Sequence, residues 1–121
     1  MVTDKNRNLA VVREFWRAIA AMDVDAYLEL FADDAVSRDP VNKPAQMTSE
    51  ERRANIEAVL GGFAGIRAAI EYVTPCGAHT ASKWTLVGTT PEKEKVVIEG
   101  IDVIRHAEDG RIAEIWGYFD N

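Results

Sequence analysis

Two histidines and one cysteine are all that this chain of 121 residues offers to soft-metal chemistry and disulfide formation. The lone Cys76 excludes an internal disulfide and fits a reducing compartment. No grouping of His, Cys, Asp and Glu has metal-ligand spacing, so no metal is expected. Basic charge is scarce as well: 14 Lys and Arg stand against 20 Asp and Glu, a formal net charge of −6. No Lys/Arg run exceeds two residues, so the electrostatic footprint of a nucleic-acid binder is missing, as is the means to hold an anionic membrane. No uncharged stretch approaches the roughly 20 residues that cross a bilayer. Met1-Val2-Thr3-Asp4-Lys5-Asn6-Arg7 holds no apolar run of signal-peptide length. The expected setting is the cytoplasm.

What is present is ordinary for a globular chain, with 47% apolar and 28% charged residues. One domain over residues 1–121 is expected. Leu9, Val12, Trp16 and Ile19 recur at helical spacing, widened by Val11 and Phe15, with Thr3 or Asp4 as cap. Asp23 or Asp25 would cap a second, short helix through Tyr27, Leu28 and Phe31. Asp33-Asp34 reads as a turn, Ala35 to Asp39 as a short strand closed by Pro40, and Val41 to Met47 as loop. Thr48-Ser49-Glu50-Glu51 is a capping box that opens a third helix on Ile56, Val59 and Leu60, stopped at Gly61-Gly62. The period then becomes two. Strands are predicted over Ala68 to Thr74, Thr80 to Gly88, Val96 to His106 and Arg111 to Phe119. Pro75 and Gly77 end the first, and Glu108-Asp109-Gly110 turns between the last two. Helices followed by antiparallel strands predict an α+β fold, with the helices on one face of a strongly curved sheet.

Two acids stand out against this frame. Strand alternation puts Asp102 on a face with Val96, Ile98, Gly100 and Ile104, an apolar stripe on which it is the only charge before His106. Burying it ionised and unpaired would cost several kcal/mol, roughly. It is therefore expected to be neutral, hydrogen-bonded, or paired with Arg105, Arg111 or Lys83. If neutral, its folded pKa lies above the unfolded value, and its contribution to stability is present in acid and lost as pH rises. Asp39 precedes Pro40 and shares a face with Ala35 and Ser37, both small enough to leave room for a ligand. It is open to reading as a site residue or as a turn residue that accepts backbone hydrogen bonds. One acid held neutral beside one held ionised is the outline of a general acid–base pair.

The two segments Leu28-x-x-Phe31-Ala32-Asp33-Asp34-Ala35-x-x-x-Asp39-Pro40-Val41 and Gly100-Ile101-Asp102-x-x-Arg105 resemble the ketosteroid-isomerase branch of a larger superfamily. That superfamily includes nuclear transport factor 2 and the SnoaL-type polyketide cyclases, and the resemblance runs from about Val12 to Asp120. It implies a cystatin-like curved antiparallel sheet wrapped around N-terminal helices, a homodimer, no cofactor, and a hydrophobic small-molecule substrate such as a steroid or polyketide. It further implies that Asp39 moves a proton between two carbons while a protonated Asp102 donates a hydrogen bond to the developing enolate oxygen. Phe15, Trp84, Ile115 and Phe119 would line the pocket.

The chain departs from that family at its tyrosines. The family's oxyanion tyrosine on the first helix aligns with Phe15, its supporting tyrosine on the second with Phe31, and its third-helix tyrosine falls near Asn55 or Ile56. A phenyl ring donates no hydrogen bond, and losing one such donor typically costs about 10²–10³ in rate. Trp16, Trp84 and Tyr27 carry donors without an assigned place. On the strand Thr80 to Gly88, hydrophobicity turns Trp84 and Leu86 inward, whereas alignment around the longer loop would turn Lys83 inward. His79 is not expected to reach Asp39, and Cys76 reads as an inert small residue. The alternatives are a SnoaL-type polyketide cyclase or epoxide hydrolase, and a non-catalytic ligand-binding or dimerisation module.

Overall fold

A computed structural model describes residues 4–120. Helix α1 (Lys5–Ala20) begins at Asp4, whose carboxylate accepts from the Arg7 N–H. Thr3, the other capping candidate, lies outside the described residues. Val12, Phe15, Trp16 and Ile19 are buried, as their spacing requires. Helix α2 (Val24–Glu29) is capped by Asp23, which accepts from the Ala26 N–H, and Asp25 occupies its first turn. Helix α3 (Ser49–Leu60) carries both bonds of the capping box between Thr48 and Glu51.

Strand β1 (Phe31–Arg38) starts four residues earlier than its sequence suggests. Phe31 is not helical because it pairs with Ile112, whose N–H donates to the Leu30 carbonyl. Tertiary pairing thus overrides the local helical period. Asp33 and Asp34 are no turn. They lie exposed in β1 where its register shifts between Phe31 and Val36, an irregularity that shares the polar chemistry of a turn.

The remaining strands are β2 (Gly65–Cys76), β3 (His79–Thr89), β4 (Lys95–His106) and β5 (Ile112–Tyr118), in the order β1-β5-β4-β3-β2. The pairs from β2 to β5 are antiparallel, and β1 runs parallel to β5 at one edge. Pro75 was expected to end β2 but lies within it, opposite Thr80. β2 is the other edge strand, so the missing N–H of proline breaks no ladder on its open side.

Burial alternates along β3 and β4. Ser82, Trp84 and Leu86 point inward, while Lys83 points outward between Glu71 and Glu99. The inner face packs on the helices around Val12, Phe15, Trp16, Ile104 and Ile115. This is the α+β cone expected from the sequence.

Candidate active site

Asp39 is held by anchors on either side. Before it, Ser37 and Gln46 exchange backbone hydrogen bonds of 2.9 and 2.8 Å. After the cis Asp39–Pro40 peptide, the Val41 N–H donates to the Gly117 carbonyl at 2.9 Å. The carboxyl is thereby laid over β5 at Gly117, the residue that pairs with Asp102 on β4. A methyl carbon placed on Gly117 would lie 1.9 Å from Asp39 Oδ1 and 3.3 Å from Asp102 Oδ1, so the two oxygens are at most the sum of these apart, about 5.2 Å. Gly100 plays a matching part on β4, where any side chain would collide with the Trp84 indole. Two glycines on adjacent strands thus make room for one acid and one aromatic ring.

A residue that carried no signal in the sequence holds the first anchor. Arg52 of α3 is buried, and its Nη1 donates to the Ala35 carbonyl, the Ser37 hydroxyl and the Gln46 carbonyl at 3.4, 3.2 and 3.4 Å. Its guanidinium lies over the Phe31 ring at 4.7 Å. It ties both sides of the loop that carries Asp39. Ala35 and Ser37, expected to border a ligand, are instead covered by this arginine.

Asp102 is 2% exposed and its Oδ1 has no hydrogen-bond partner. The three cations expected as its partners are engaged elsewhere: Arg105 with Glu114, Arg111 with Asp109 and Asp33, and Lys83 with Glu71 and Glu99. Burial, and then the nearby charge of Asp39, push its pKa well up, only partly countered by the Trp84 indole. Burial also raises Asp39, to about 6. As a residue Asp39 is only half-buried, but its carboxyl is packed on Gly117 inside the fold, and that local desolvation governs the shift. Both shifts run the same way, and Asp102 carries in addition the push of the Asp39 charge, so the pair favours a proton on Asp102 and the charge on Asp39.

Asp39 opens into a cavity of about 70 Å³ bounded by Trp16, Ile19, Tyr27, Ile56, Trp84, Ile98 and Phe119. That is far smaller than the roughly 300–1,000 Å³ usual for ligand pockets. Phe119 also lines an open groove of about 430 Å³ with Pro40, Val41, Glu99 and Tyr118. Trp84 and Phe119 thus lie where the sequence places them. Phe15 and Ile115 do not. Phe15 is 1% and Ile115 0% exposed, and both are enclosed in the core; Phe15 packs against Tyr27, which does line the cavity. Tyr27, Trp16, Ile19, Ile56 and Ile98 were among the lining residues missed. Ile98 shares the Asp102 face and was within reach of the alternation argument, whereas helix orientation, which places Tyr27, is not written in periodicity. Among the described residues no group of three or more metal-ligating side chains occurs. His79 is exposed, and His106 is held by Thr80 and the Gly110 carbonyl, both at 2.9 Å.

The curved sheet and its helices define an α+β cone with an acid pair on its inner face. Residues 12–115 match the model of the SnoaL-like domain, and the chain belongs to that family. None of the curated proteins matches its sequence. Among solved structures it is similar to SalBIII, an epoxide hydrolase/cyclase-like enzyme of pyran ring formation in the polyether salinomycin. The TM-score is 0.87 at 21% identity, over 98% of this chain and 95% of that one. RV0760c from Mycobacterium tuberculosis is similar with a TM-score of 0.84 at 21% identity, over 94% and 91% of the two chains. An NTF2-like protein of unknown function from Exiguobacterium sp. 255-15 has a TM-score of 0.77 at 18% identity, over 92% and 98%. At such identities the likeness is one of fold.

Proposed function

We propose that the chain is a cofactor-independent acid–base enzyme acting on a small, apolar substrate that carries an oxygen. The observation that supports this is the acid pair over Gly117, with carboxyl oxygens at most about 5.2 Å apart, Asp39 lining the cavity and Asp102 buried beside it. Groups so placed and so shifted have matched roles, one as base and one as hydrogen-bonding acid. In the first reading Asp39 takes a proton from the carbon between a carbonyl and a double bond. Electrons flow to the carbonyl oxygen, which receives a hydrogen bond from Asp102. Asp39 then returns the proton to the γ-carbon, completing an allylic isomerisation.

A second reading is supported by the same geometry and by the likeness to SalBIII. Asp39 takes the proton of a hydroxyl or water, whose oxygen attacks an epoxide carbon. The C–O bond breaks, and Asp102 delivers its proton to the departing oxygen. Asp39 ends protonated and Asp102 ionised, and their closeness lets the proton pass back. A non-catalytic binding module is the third reading, and it predicts ligand-induced stabilisation without turnover.

The test is turnover by the wild type and by Asp39→Asn of a single-ring β,γ-unsaturated ketone, a β,γ-unsaturated 3-ketosteroid and a hydroxy-epoxide. Ketone conversion, followed by the ultraviolet absorbance of the conjugated product, should be lost in the variant. Conversion of the epoxide alone would replace the first reading by the second. Turnover that survives in the variant would refute Asp39 as base in either.

A further inference from the structure

We propose that the Tyr27 hydroxyl donates a hydrogen bond to the substrate's oxygen, supplying from α2 the donor that Phe15 does not. The proposal rests on the acid–base reading of Asp39 and Asp102 and adds a third group to that site. Tyr27 lines the cavity together with Asp39. Its ring is 4% exposed and wedged between two phenyl rings, Phe15 at 5.2 Å and Phe31 at 5.0 Å, each tilted to it. Neither neighbour can accept a hydrogen bond. The two rings that are mute as donors therefore fix the direction of the one that is not.

The Tyr27 hydroxyl oxygen is not among the sealed, unpartnered polar atoms of the fold, so it is open to the cavity and available to an acceptor there. Burial first, and then the charges of Asp39 and Asp102, hold the phenol well above its ordinary pKa, with Arg52 acting in the opposite sense. Tyr27 thus remains a donor wherever Asp39 is ionised, and does not compete with it as a base. The matching ligand carries a carbonyl, ether or phenolic oxygen within about a ring's width of the atom that Asp39 addresses.

Two bland roles compete with this one. Tyr27 could be filler between two phenyl rings, or it could donate only to Asp39. Tyr27→Phe separates the three because it keeps the ring and its packing. The probe is 4-nitrophenol, whose absorbance reports both its binding and its ionisation, and which undergoes no proton transfer at carbon. Its affinity is measured for the wild type, Tyr27→Phe and Asp39→Asn, with melting temperatures alongside.

The proposal predicts at least tenfold weaker binding to Tyr27→Phe, with the melting temperature held or raised and affinity retained by Asp39→Asn. Equal affinity in wild type and Tyr27→Phe would overturn it, as would no binding to the wild type. A role confined to Asp39 would appear as unchanged affinity together with a raised Asp39 pKa in Tyr27→Phe, and would also overturn it. Because the probe is not turned over, these outcomes stand apart from the fate of Asp39 as base.

Discussion

Gly117 is the residue on which the site depends most sharply. An added methyl group would occupy the space of the Asp39 carboxyl and press on Asp102. Gly117→Ala is expected to abolish turnover and to cost about 1–3 kcal/mol of stability, as overpacking commonly does. Denaturant melts beside the turnover assay check both.

Asp39 itself should show the opposite trade. Its pKa is raised from 3.8 to about 6 by burial, so its contribution to stability is full below pH 3.8 and is lost as pH rises through 6. Asp39→Asn should therefore be more stable than the wild type at pH 8, with the difference gone below pH 4. Thermal melts at the two pH values test this, and a variant less stable at pH 8 would show the burial argument to be wrong. Asp102 is raised in the same direction, by burial and then by the charge of Asp39. Asp102→Asn should change stability near pH 7 by less than about 1 kcal/mol, whereas breaking a buried ion pair would cost about 3–5.

The loop after β1 turns these side-chain arguments into a matter of connection. Arg52 on α3 fastens Ala35, Ser37 and Gln46, and so fixes where Asp39 enters the fold. Arg52→Met keeps much of the volume and removes those bonds. It should lower kcat at least tenfold without abolishing folding, and leave a misplaced Asp39 whose pH profile departs from that of the wild type. Unchanged kinetics would remove Arg52 from the positioning role. The helices and the four antiparallel strands were legible in the sequence, because each shows a clear period and most have a cap or turn at their ends. β1 was legible only in part. Its first half, through Phe31, is decided by pairing with β5, a partner some 80 residues away, and the exposed acids at its irregularity imitate a turn.

The same limit divided the site. Asp102 was readable because one charge interrupts an apolar stripe, and Asp39 because of the motif around it. The inward choice of Trp84 over Lys83 followed from hydrophobicity and was the better guide than alignment. Phe15, Ile115 and Tyr27 were not separable, since which buried ring touches a cavity depends on how helices are rotated against the sheet. No local pattern records that rotation. Arg52 was invisible for a similar reason: a basic residue on a helix reads as solvated until its neighbours are known.

Beyond a single copy, the convex face of the sheet exposes Tyr72, Val97, Ile101 and Tyr118. We propose this face as the homodimer contact, so Ile101→Lys should halve the mass measured by light scattering if the wild type is dimeric. A monomeric wild type would rule the contact out. The narrow cavity also bears on substrate size. Phe119 stands between it and the outer groove, and Phe119→Ala should favour multi-ring over single-ring ketones by lowering KM for the former. The proposed chemistry turns on one proton shared unequally between two aspartates. Carbon-13 NMR titration of the aspartate carboxyls, assigned with Asp39→Asn and Asp102→Asn, reads that proton directly and needs no substrate. Asp39 titrating near 6, with Asp102 keeping its proton after Asp39 has lost its own, is the expected result. Both carboxyls ionising at ordinary aspartate pKa values would contradict the acid–base pair.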